Sequence, residues 1–155
     1  MTPRGRTNQL LYQAELLLDI DGGTDEHADA RRAGAQEGAL ALAELALNAA
    51  LRELTEHARL PRHEWRLLLG DAAPSLAELE RLREEARSPQ SWLAVLLNHV
   101  EALHSVEGAS RRRPAAASTS LIATAEQPSL RDELRWCLAQ FKAELNDLRE
   151  TSVEW

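Results

Sequence analysis

The chain has 155 residues, a formal net charge of −7, five histidines and a single cysteine, Cys137. That length predicts one domain with a core of its own, and one cysteine excludes an intramolecular disulfide framework. The negative charge argues against a general surface for nucleic acid or anionic lipid, since the average field repels both.

In chain order, Thr2-Pro3 reads as an N-cap followed by proline at the first helical position, where its missing N–H costs nothing. A first helix then runs to about Ile20, with an apolar stripe through Leu10, Leu11, Ala14, Leu17 and Leu18 that begins at Thr7. Asp21-Gly22-Gly23 ends it. The Leu10–Ile20 stretch is broken by Gln13, Glu15 and Asp19, far short of the ~20 apolar residues of a membrane span. No membrane contact and a cytoplasmic location are therefore expected.

Thr24 or Asp25 is the candidate cap of a second helix reaching about Arg59, since no proline intervenes before Pro61. Its Ala/Gly-rich start, Asp25 to Gly38, reads as prone to fraying. Gly34 and Gly38 would admit a close neighbour, or simply loosen the helix start. From Leu40 onward the helix is apolar over much of its circumference, as in the middle of a bundle.

Pro61 opens a connector in which Glu64 to Leu69 reads as a short helical turn. Ser75-Leu-Ala-Glu78 has capping-box spacing and introduces a helix from Leu76 to Arg87, with Leu76, Leu79, Leu82 and Ala86 inward. Ser88-Pro89 repeats the cap-plus-proline pattern ahead of the most apolar helix, which carries Trp92, Leu93, Leu96 and Val100 and fades by Gly108. Residues 108–128 are rich in Ala, Ser, Thr and Pro and read as a flexible linker, with Leu121-Ile122 as its apolar anchor. Ser129 starts a last helix with Leu134, Leu138, Phe141, Leu145 and Leu148 in four-three spacing, the pattern of a helix packed on one side. Trp155, at the end, reads as docked on the bundle.

These elements predict an all-α protein: an up-down bundle of four main helices plus a short connector helix. Residues 1–107 would form the bundle core, 108–128 the linker and 129–155 a C-terminal helix docked on it, all as one domain.

Candidate chemistry is sparse. Arg52 and His57 match the Arg-x4-His spacing of HEPN-like ribonucleases, so a ribonuclease using them as catalytic pair is the enzymatic alternative. Glu101 and His104 supply one half of a di-iron Glu-x-x-His motif without its other half, and no metal or cofactor is expected. Arg111 to Arg113 form the only basic run, too short on an acidic chain for more than weak, salt-sensitive contact, and nucleic acid is not an expected partner. Cys137 lies in WCLAQF, an apolar helix face, and reads as a small buried hydrophobe.

Several segments, RTNQLLYQA, HARLP, SPQSWLAVLL, LIAT and the closing VEW, occur here in an order that resembles a family of short helical gammaproteobacterial proteins without an assigned activity. Its members begin with a Thr-Asn-Gln motif followed by a tyrosine, leave the second helix through Arg-Leu-Pro, and carry a tryptophan after Ser/Asp-Pro. The resemblance implies a single all-helical domain and supplies no reaction. This chain departs from the pattern in having Ala58, and no aromatic residue, just before Arg59-Leu60-Pro61.

The reading that follows is a non-enzymatic helical bundle acting through a protein partner or through self-association. Its candidate binding residues are Arg6, Thr7, Asn8, Gln9 and Tyr12, because this polar cluster sits within the first turns of the first helix. The alternative is structural. Thr7 and a neighbouring amide would then hydrogen-bond the end of an adjacent helix, near the loop after Arg59-Leu60-Pro61.

Overall fold

The computed structural model describes residues 1–110 and 128–153. Among them are six α-helices and no strand: α1 (Pro3–Leu18), α2 (Ala28–Leu54), α3 (Trp65–Leu68), α4 (Ala77–Arg87), α5 (Trp92–Leu103) and α6 (Leu130–Val153), with a 3-10 turn at Glu56–Ala58 after α2. The all-α reading holds. Arg111 to Arg113, the Leu121-Ile122 anchor, most of the expected linker and Trp155 lie outside the described residues.

Local chemistry accounts for the helix ends. Thr2 Oγ1 accepts the Gly5 N–H at 3.0 Å, with Pro3 as the first helical residue. α1 stops at Leu18 with Asp19 as its C-cap, and in the loop beyond it Gly23 (φ 81°) takes a left-handed conformation while the Asp21 carboxylate accepts its N–H. α2 starts at Ala28 without the side-chain cap expected from Thr24 or Asp25. Asp25 instead accepts the His27 N–H and holds Arg31 through two hydrogen bonds of 2.6 and 2.7 Å. Arg31 and Arg32 also donate to the carbonyls of Gly22 and Gly23. The start of α2 is thus tied to the preceding loop.

At its other end α2 stops at Leu54, short of Arg59. Thr55 Oγ1 bonds back to the Leu51 carbonyl, a 3-10 turn follows, and Arg59 sits at φ 49°, ψ 47°. A left-handed residue two before proline cannot continue a helix. Ser75 does not cap α4, whose N-cap is Leu76 with no side-chain bond. Buried Arg83 holds the incoming loop, donating to the carbonyls of Leu68 and Pro74. Ser91, not Ser88, caps α5: its hydroxyl accepts the Ala94 N–H and donates to the Glu85 carbonyl. The two-residue turn from Ser88 to Ser91 moves the cap forward. Ser129 Oγ accepts the Asp132 N–H as α6 begins.

α2 is the element the others surround. Its long pairing is with α1, and it also packs on α3, α5 and α6. Its buried positions alternate alanine with leucine, from Ala39-Leu40 through Ala46-Leu47 to Ala50-Leu51, all 2% exposed or less. Small residues let neighbouring backbones approach while the leucines fill the gaps between them. α1 and α2 run antiparallel: a Cβ added at Gly38 would lie 3.1 Å from Leu17 Cδ1, so the expected close approach occurs at Gly38, whereas Gly34 faces open space.

α6 buries Leu134, Leu138, Phe141, Leu145 and Leu148 together with Cys137. It runs antiparallel to α5, where Trp92 stacks on Phe141 with ring centroids 4.9 Å apart, and His99 contacts Glu133. Within this seam Cys137 is fully buried, its thiol donating to the Trp92 carbonyl at 3.5 Å. Burial, with the Glu133 charge nearby, pushes the thiol pKa up to about 12. Aromatic disulfide reagents at pH 8 should therefore leave Cys137 unmodified in the native chain. Its labelling rate should follow global unfolding in a denaturant titration; rapid labelling without denaturant would show that the α5–α6 seam opens locally.

Candidate functional site

Polar groups gather in three places: the α1–α6 seam, the junction of α4, α5 and α6, and a cleft beside the start of α1. The first contains most of the residues singled out in the sequence. Thr7 is fully buried, yet its hydroxyl bonds within its own helix, to the Pro3 carbonyl at 3.1 Å. It does not reach the loop after Arg59-Leu60-Pro61. Asn8 points instead to α6, where its Oδ1 accepts from Arg149 Nη2 at 3.0 Å. Arg149 simultaneously holds Glu53 at the end of α2 in a two-pronged pair of 2.5 and 3.0 Å, both side chains only 11% exposed. Gln9 accepts from Arg6 at 2.6 Å on the surface, and Tyr12 is 61% exposed over a shallow groove between α1 and α6.

Asn8 is thus one contact in a ladder. Going up α1 to its C-cap, Asn8, Glu15 and Asp19 meet Arg149, Lys142 and Arg135 going down α6. The α6 members are seven residues apart, so they lie along one edge of the helix and fix its antiparallel register against α1. The outer pairs are exposed and contribute little each. The Arg149–Glu53 pair is different because removing one partner leaves a largely buried charge without its counterion.

The second cluster joins α4, α5 and α6. Glu144 is 8% exposed and accepts from Trp92 Nε1 at 2.7 Å. Arg81 Nε lies 3.2 Å from its other oxygen, Oε1, but out of line for a hydrogen bond. Half-buried Glu85 stands beside it. Burial, then a hydrogen bond and charge repulsion from Glu144, push the Glu85 carboxyl from its ordinary 4.5 up to about 7, against a smaller opposing pull from Arg81. A protonated Glu85 donates a hydrogen bond to the Glu144 carboxylate beside it.

The third feature is a cleft of ≈ 680 Å³. Leu10, Leu45, Ala49 and Pro61 provide its apolar surface, and Leu45 is 49% exposed. Arg6, Arg52, Arg62 and His63 surround it, with Glu64 the one acidic residue. Arg52 and His57 do not share it: His57 lines a separate recess with Glu53, Glu56 and Arg59. The structure gives the Arg-x4-His spacing no common cleft. Of the residues proposed from sequence, Arg6 and Arg52 meet here, across α1 and α2. Leu45, Arg62 and His63 were not singled out; no local motif marks them, although unpaired arginines near a helix start offered a signal.

Glu101 and His104 are separated by other bonds, Glu101 to Arg66 at 2.6 Å and His104 to Glu44 at 2.7 Å. Among the described residues no three His, Cys, Asp or Glu side chains gather as metal ligands, and no helix is long and apolar enough to cross a membrane.

The fold and these clusters define a helical bundle protein with an arginine-rimmed cleft. The chain matches a family of unknown function (DUF6586) over residues 1–155 and belongs to it. No curated protein and no solved structure matches the chain.

Two measurements probe the polar seams. Arg149→Ala should lower stability by about 2–4 kcal/mol in denaturant melts, Asn8→Ala by about 0.5–1.5 kcal/mol, and the two losses should be less than additive in the double variant. Strict additivity would break the link between Asn8 and Arg149. For Glu85, the folded chain keeps the proton to near neutral pH and the unfolded chain releases it near 4.5, so the folded state binds more protons within that window. Stability from this group therefore falls as pH rises from about 4.5 to about 7, by roughly 1–2 kcal/mol once solvent access to a half-buried group is allowed for. Glu85→Gln, which keeps a donor and cannot ionise, should flatten that slope and raise the melting temperature at pH 8.

Proposed function

We propose that this protein is a non-enzymatic interaction module, a helical bundle that holds a partner protein against the face formed by the start of α1, the middle of α2 and residues 61–64. The observation that carries this reading is the cleft itself: an open apolar surface centred on Leu45 and bordered by guanidinium groups. A leucine half exposed in a concave setting gains from a partner's apolar side chain what it cannot gain from this chain's own core. The interior polar groups already have structural work, since Glu37, Glu44 and Glu53 along α2 each accept from another part of the chain.

The candidate pair Asn8 and Thr7 belongs, in this reading, to the scaffold, while Arg6 belongs to the recognition face. Self-association through the same face is the form the module takes if the partner is a second copy. The test is Leu45→Asp, a surface change that should leave the melting temperature within about 1 °C of wild type. Co-purification from the native host, quantified against wild type, should lose a discrete set of proteins, or light scattering should show a dimer reverting to monomer. Identical partner sets and identical mass for both chains would overturn the assignment.

A further inference from the structure

We propose that the cleft beside α1 takes an acidic, leucine-bearing segment of a partner protein, its carboxylates held by Arg52 and Arg62 and its aliphatic side chain laid on Leu45 and Ala49. This rests on the interaction reading above and names the chemistry of its partner.

The argument is one of charge complementarity against the grain of the molecule. A chain of net charge −7 places three arginines and a histidine around one cleft, with a single glutamate among them. Elsewhere the described arginines are mostly engaged, Arg31 with Asp25, Arg66 with Glu101 and Arg83 with Glu80, for example. Here, among the described residues, Arg52 has no acidic partner and Arg62 has only a loose 3.6 Å contact with exposed Glu64. Arg6 is occupied by the neutral amide of Gln9, which leaves its charge uncompensated. The first turn of α1 borders the same cleft and contains no acidic residue, so the positive end of a 16-residue helix adds to the field.

Guanidinium groups pair with carboxylates in a planar, two-bond geometry, and in a recess partly shielded from water such pairs are stronger than on an open surface. The apolar surface between the arginines selects against a purely ionic ligand. A polyanion such as nucleic acid would have to approach a molecule whose overall field repels it, whereas a short segment with a few carboxylates and a leucine meets both the rim and the floor. The volume, ≈ 680 Å³, suits a few side chains rather than a folded surface.

The experiment uses the full chain and two fluorescein-labelled decapeptide probes, one alternating leucine with glutamate and one alternating leucine with glutamine, read by fluorescence polarisation. The acidic probe should bind about tenfold more tightly or better, weaken as salt rises, and lose about tenfold in affinity with the Arg52→Gln/Arg62→Gln double variant, whose melting temperature stays unchanged. Equal affinity for the two probes would overturn the carboxylate assignment while leaving the interaction reading intact. Acidic-probe binding indifferent to the arginine substitutions would overturn it by placing the site elsewhere. Tighter binding of a phosphoserine counterpart, or of single-stranded poly(U), would overturn it in favour of a phosphate ligand. Failure of both probes would overturn it too, and the Leu45→Asp comparison would then decide separately whether the face engages any protein.

Discussion

The burial of α2 is the constraint on which the rest of the structure depends. A 27-residue helix whose inner surface alternates alanine and leucine cannot stand alone in water, because most of its stabilisation comes from tertiary packing and not from propensity. α1, α3, α5 and α6 supply that packing. Because the contact positions are so often alanine, neighbours come close, and truncating one of the interleaved leucines would leave a cavity that the surrounding helices could fill only by shifting.

Along the same helix a few polar side chains place the parts that surround it. Glu37 accepts the backbone N–H groups of Ala109 and Ser110 and the Ser110 hydroxyl. The turn there passes through Gly108 at φ 76°, where an added Cβ would lie 2.6 Å from the Glu37 carboxylate, so the bend suits only glycine. Glu44 accepts from the Trp65 indole and pairs with His104, and Asn48 accepts the Trp65 N–H, which fixes α3 and the end of α5. Glu53 holds Arg149 and thus the last turns of α6. Apolar burial supplies the driving force, which has no direction; these bonds supply register, which burial lacks.

The cleft is a by-product of that arrangement. Where α1 begins and α2 nears its end, the chain has turned away through Arg59 and Pro61, so among the described residues no helix covers Leu45 and Ala49. The loop that turns away brings Arg62 and His63 to the rim. The proposed recognition face is therefore assembled from three separate stretches of chain, and none of them carries a motif by itself.

The sequence by itself determined the elements: Thr2-Pro3, the α2 run of alanine and leucine, the Trp92 helix and the four-three stripe of α6 all express preferences local to one or two helical turns. It also determined that Cys137 and the stripe residues lie inside, since periodicity reports the face of a helix. Only the tertiary structure decided which face meets which. Capping at Ser75 gave way to Arg83, which holds the carbonyls of Leu68 and Pro74 across the connector, while Ser88 and Asp25 were drawn into competing local bonds, the Ser88–Ser91 turn and the Arg31 clamp. It likewise set Asn8 against Arg149, more than a hundred residues away, and put Arg6 beside Arg52 while sending His57 to another recess. Pairings of that kind depend on how helices of similar apolar pattern dock, and the pattern of a single helix carries no information about its neighbour.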